Sequence, residues 1–71
     1  MNGAELLRRL RPLAKQDGVA VDYDAAHGKG SHGRLSYGDR FTTLKDPRKE
    51  IGGNLLRKML RDLGIDARRL R

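Results

Sequence analysis

The residues of this chain best equipped for chemistry stand together near its middle, in Lys29-Gly30-Ser31-His32-Gly33. An imidazole, with an ordinary pKa of about 6.5, takes and returns protons near neutral pH. Beside it are an ammonium, a hydroxyl and two glycines. The backbone N–H groups of Gly30 and Ser31 can curl into a small nest for a phosphate. Such a set suits attack by a ribose 2′-hydroxyl on the adjacent phosphorus: His32 removes the proton, and Lys29 and Arg34 steady the charge that builds on the phosphoryl oxygens. Asp22 or Asp24 could orient the imidazole by accepting its second N–H, the plainer alternative being two solvated carboxylates. A single exposed histidine is more often an ordinary surface residue, and His27 reads that way, so the case for His32 rests on what surrounds it.

Composition narrows the rest. Seventy-one residues make one domain, 1–71, with a thin core: 37% of the residues are hydrophobic and three are aromatic. The absence of cysteine removes disulfides and thiolate metal sites. His27 and His32 lack sensibly spaced further ligands, so neither a metal nor another cofactor is expected. No apolar span or leader is read in the chain, and the expectation is a cytoplasmic protein that does not enter a membrane. The formal charge of +7 favours an anionic partner. Arginine supplies 11 of the 16 cationic residues, and its planar fork pairs with two phosphate oxygens at once.

The elements that must hold this stretch follow from apolar spacing. Asn2 to Gln16 reads as a helix, with Leu6, Leu7, Leu10, Leu13 and Ala14 in one stripe. Asn2 caps it, Glu5 stands as in a capping box, and Gly18 closes it. Pro12 is expected to bend or split it, because the ring removes one donor and crowds Arg8. Val19 to Asp24 alternates as a strand, with Val19, Val21 and Tyr23 on one side and Ala20, Asp22 and Asp24 on the other, the open face, and a second strand runs from about His32 to Tyr37. Gly38-Asp39 turns the chain into a third strand, Arg40 to Leu44. A two-residue turn would pair Tyr37 with Arg40. One extra residue would pair Tyr37 with Phe41 and unite the apolar side chains, and that register is the one expected. Asp46-Pro47 starts a helical turn. The main second helix begins near Gly53 and carries Leu55, Leu56, Met59, Leu60 and Leu63, with Gly64 and Ile65 closing it as a Schellman motif. Asp66 caps a last turn, and the final four residues are expected to fray.

The order predicts an α+β fold, α-β-β-β-α: a three-stranded antiparallel sheet with both helices on one face, the layout of double-stranded-RNA-binding domains. With Leu35 and Tyr37 towards the helices, period two turns His32, Arg34 and Ser36 onto the open face. Asn54, Arg57, Lys58 and Arg61 line the polar side of the second helix and are candidates for backbone phosphates.

The Gly30-Ser31-His32 triplet, the hairpin after it and a closing helix ending in Leu63-Gly64-Ile65 resemble the HicA-type toxins. The likeness runs from about Lys29 to Ile65 and includes Glu50-Ile51 followed by Leu55, Met59, Leu60 and Leu63. Gly53-Asn54-Leu55 departs from the family's usual helix start, and Lys45-Asp46-Pro47 supplies no second histidine after the third strand. The resemblance implies an mRNA interferase, an endoribonuclease with His32 catalytic, and a HicB-type antitoxin as protein partner. The alternative of another class is a non-catalytic double-stranded-RNA-binding module of the same fold.

Overall fold

The structure, a computed structural model, describes residues 1–25 and 33–70. Helix α1 (Gly3–Asp17) leads into three strands, β1 (Val21–Asp24), β2 (Gly33–Tyr37) and β3 (Arg40–Leu44). Helix α2 (Gly53–Leu63) and a short 3-10 turn, Ala67–Leu70, complete the described elements. The expected α-β-β-β-α order is therefore observed.

Both helices end as their glycines dictate. The Asn2 side chain accepts from the Glu5 N–H at 2.9 Å, covering one of the unpaired donors of the first turn. Gly18 and Gly64 take the left-handed conformation, at φ 69° and 73°, which costs glycine little. In each case the next residue bonds back into the helix, Val19 to the Ala14 carbonyl and Ile65 to that of Leu60, both at 2.9 Å. These are Schellman closures. The first one spends the Val19 N–H on the helix, and β1 starts at Val21 rather than at the expected Val19.

Pro12 does not divide α1, which runs unbroken from Gly3 to Asp17. Pro12 and Arg8 are both exposed, so the carbonyl left without a donor lies on the side that water reaches. The Asp46-Pro47 segment makes a single turn. The Asp46 carboxylate accepts from the Arg48 N–H at 2.9 Å, and the Pro47 carbonyl accepts from the Ala4 N–H at 2.9 Å. Gly3 is required at that crossing, because a methyl group there would lie 2.8 Å from the Pro47 α-carbon.

The sheet is antiparallel in the order β1-β2-β3. Its hairpin corrects the expected register. Tyr37 pairs with Arg40 across a two-residue turn, and Ser36 pairs with Phe41. Gly38, the first central residue, has φ 64° while Asp39 has none of the positive φ values, the pattern of a II′ hairpin. Phe41 consequently faces outward. Leu44 and Thr42 face the core, at 4% exposure each.

One core lies between the sheet and the two helices. Leu6 and Leu10 of α1, Leu35 of β2, and Met59, Leu60 and Leu63 of α2 are its fully buried large side chains. Leu13, Tyr37, Leu44, Ile51 and Ile65 complete it. Both helices therefore pack on the same face of the sheet. The last described turn is also fastened, against the expected fraying, while Arg71 lies outside the described residues. Leu70 is buried at 7% exposure, its carbonyl accepts from Arg9 at 2.9 Å, and Arg69 grips the Asp17 carboxylate with two bonds at 2.9 and 3.0 Å.

Candidate functional site

With one face covered, the other presents two rows of side chains across the three strands. Asp22, Ser36 and Phe41 are successive partners in one row, and Asp24, Arg34 and Thr43 in the next. Asp22, Asp24, Phe41 and Thr43 are exposed, while Arg34 and Ser36 are half-buried. Period-two alternation thus turns Arg34, Ser36 and both carboxylates outward as the sequence predicts. The Arg34 guanidinium lies over the Phe41 ring, 4.1 Å from its centroid, a geometry in which the ring's negative face attracts the cation.

Lys29, Gly30, Ser31 and His32 lie outside the described residues, as does His27. The strand ends that flank them are described. Asp24 and Arg34 are partners. Gly33, immediately after His32, is buried and faces the helices. It lies against Tyr23, whose ring would be 2.5–2.7 Å from a methyl group added there. The Tyr23 hydroxyl passes beneath β2 and donates to the Leu44 carbonyl at 3.2 Å. One phenol from β1 thus fixes the start of β2 against the end of β3.

The candidate phosphate contacts on the second helix belong to a different layer. Arg57, Lys58 and Arg61 are all exposed on α2, which packs on the face opposite Arg34. Lys58 is engaged locally, 3.1 Å from Asp62. That carboxylate also accepts from the buried Thr42 hydroxyl at 2.9 Å. The Lys58 contact first, then the Thr42 hydrogen bond, hold the Asp62 carboxyl below its ordinary value. Between β3 and α2 runs a groove of about 380 Å³, lined by Thr42, Leu44, Leu55 and Met59 with Lys45 and Lys58 at its sides. The structure therefore brings Arg34 together with Asp22, Asp24 and Phe41, and does not bring it together with Arg57, Lys58 and Arg61.

Phe41 is the residue of the open face that sequence reading misplaces. A signal was present: Phe41 and Leu44 are three apart, an odd spacing that puts them on opposite faces of one strand. Alternation places Tyr23 on the face where it is found, but its crossing under Gly33 depends on strand order. Among the described residues, no group of three or more His, Asp or Glu is arranged to hold a metal ion. Nor is any described helix long and apolar enough to cross a membrane.

Compared with family models, with curated proteins and with solved structures, the chain matches none.

Proposed function

We propose that this protein is an RNA-cleaving toxin of the HicA type, an endoribonuclease that cuts mRNA in the cytoplasm and is restrained by a HicB-type antitoxin. The observation that carries the reading is the sheet face that no described helix covers, which carries the half-buried Arg34 two residues beyond His32 while both helices occupy the other side. The Gly30-Ser31-His32 triplet and the basic, arginine-rich composition support it from the sequence.

In this reading His32 removes the 2′-hydroxyl proton. The freed oxygen forms a bond to the neighbouring phosphorus, the bond to the 5′-oxygen breaks, and that oxygen takes a proton from solvent. The products are a 2′,3′-cyclic phosphate and a 5′-hydroxyl. Arg34 and Lys29 stabilise the phosphoryl charge, and no metal or cofactor takes part. Antitoxin binding over the same face would block access.

Induced alone, the protein should arrest growth and cleave mRNA, and His32→Ala should abolish both while the circular dichroism spectrum is retained. Cleavage by His32→Ala at the parent rate would overturn the assignment. Cleavage should also be faster where the imidazole is neutral and slower where it is protonated.

The exposed Arg57 and Arg61 on the far layer favour a second reading, a duplex-RNA-binding module that does not cut. It predicts duplex binding that weakens steeply with salt, with no cleavage products.

A further inference from the structure

We infer that the open sheet face is a reading platform for one unpaired nucleobase, which stacks on Phe41 and turns its amino-bearing edge towards Ser36 and Asp22. The inference rests on the RNA-binding half of the function proposed above and is independent of cleavage.

Among the described residues Phe41 is the most exposed large hydrophobic side chain, at 54%, although it is the second residue of a paired strand, β3. Its ring is already oriented by the guanidinium of Arg34. That cation covers one side of the ring and leaves more than half of the residue's surface open. Aromatic rings flanked by arginine are how single-stranded nucleic acid is held, because every base has a π-face to stack.

The row containing Phe41 supplies the rest of the site. Ser36 is its direct partner and Asp22 is the partner of Ser36. Adjacent strands are about 4.8 Å apart, so ring, hydroxyl and carboxylate follow one another over about 10 Å. A carboxylate accepts from an exocyclic amino group, as acidic side chains do from cytosine. Asp22 therefore selects for cytosine, adenine or guanine over uracil, which has no amino group. Ser36 donates or accepts as needed.

Charge and composition choose this occupant. A net charge of +7 draws a polyanion to the chain as a whole, while the two rows themselves, with Asp22 and Asp24 against Arg34, suit the amino-bearing edge of a base rather than a phosphate. Phe41 is the sole large apolar side chain of the six in the two rows, too little for the apolar centre of a protein interface. Duplex RNA keeps its base faces stacked and offers none to Phe41.

The test uses short fluorescein-labelled 2′-O-methyl oligoribonucleotides, whose blocked hydroxyl cannot attack phosphorus, and a duplex of equal length, each titrated with the full chain. The parent should bind the single strand more tightly than the duplex. Phe41→Ala should weaken single-strand binding about tenfold, the usual effect of losing one stacked base, and Phe41→Trp should retain it. Asp22→Asn should remove the preference for cytidine-rich over uridine-rich strands. The inference is overturned if Phe41→Ala binds within about twofold of the parent, well inside the loss expected for one stack. It is equally overturned if the duplex binds as well as the single strand. If Phe41→Ala instead converts a dimer to a monomer in sedimentation and leaves RNA binding intact, the face serves self-association and the inference fails. A Phe41 effect on binding, with His32→Ala still cutting unmodified RNA, would overturn the cleavage assignment alone.

Discussion

The Tyr23 ring packs so closely under Gly33 that a methyl group on that glycine would lie 2.5 Å from the phenolic oxygen. Gly33 has no positive φ, so the requirement for glycine here is purely steric. Gly33→Ala must push the ring out of its place, a change of the overpacking kind that costs about 1–3 kcal/mol. Because the clash is with one partner, the same substitution should cost clearly less in a Tyr23→Ala background. Urea unfolding of the four proteins measures this coupling. Equal costs in both backgrounds would show that Tyr23 is not the obstacle. If the protein cleaves RNA as proposed, displacing the start of β2 in Gly33→Ala should also slow that cleavage.

Tyr37 and Asp17 set the alkaline edge of stability. The buried Tyr37 hydroxyl donates to the Asp17 carboxylate at 2.6 Å. Burial first, then this bond, push the Tyr37 pKa up to about 12 from 10.0. The folded state thus holds the proton more tightly than the unfolded chain. This contribution is complete below pH 10.0, the ordinary tyrosine value, and is lost as pH rises through about 12. Tyr37→Phe should remove that part of the alkaline decline and lower stability near neutrality by about 1 kcal/mol. Urea midpoints across alkaline pH are the measurement, and an unchanged alkaline decline in Tyr37→Phe would sink the idea.

Acid acts in the opposite sense. Arg69, then Tyr37, hold the Asp17 carboxyl below its ordinary value. Arg68, through its side chain and then its backbone N–H, lowers Asp66 from 3.8 to about 2. Lys58 and Arg48 keep Asp62 and Asp46 low in the same way. These groups contribute stability above their unfolded pKa of 3.8, and it is lost as pH falls through the depressed folded values, about 2 for Asp66. Stability should therefore hold from neutrality to about pH 4 and decline below it. Asp17→Asn should flatten part of that decline in acid urea titrations.

Leu70 should matter far more than its place near the chain end suggests. It is 7% exposed, and its carbonyl is held by Arg9. Leu70→Ala should cost about 2 kcal/mol, the low end for a buried leucine because the site lies at the edge of the core. A loss well under half that figure would mean the terminal turn frays after all.

The α2 cations offer a test by salt. If Arg61 and Arg57 meet phosphates, replacing each by Ala should weaken RNA binding at all sequences alike and reduce the salt slope by about 0.7 per lost contact to a single strand. Lys58 is already paired with Asp62, so Lys58→Ala should have a smaller effect. Fluorescence anisotropy across a salt series decides it, and unchanged slopes would assign these residues to a merely solvated face.

Much of the fold was legible because it depends on local rules. Apolar residues at helical and alternating spacing marked the helices and strands, and Asn2, Gly18 and Gly64 marked helix ends through their own backbone preferences. Alternation alone turned Arg34, Asp22 and Asp24 outward. What stayed hidden is what local rules leave undecided. Phe41 and Leu44 compete for one face of β3, and the two-residue turn at Gly38-Asp39, with Thr42 bonded to Asp62, selects Leu44. Pro12 is tolerated because its side of α1 faces water, which the ring's chemistry by itself does not reveal. The last described turn is fixed by Asp17, 52 residues before Arg69, a distance no window of sequence spans. The residues of the Lys29 to Gly33 stretch are a property of the sequence. Only the tertiary structure could show that Gly33 is clamped by Tyr23, because that contact needs β1 and β3 on either side of β2.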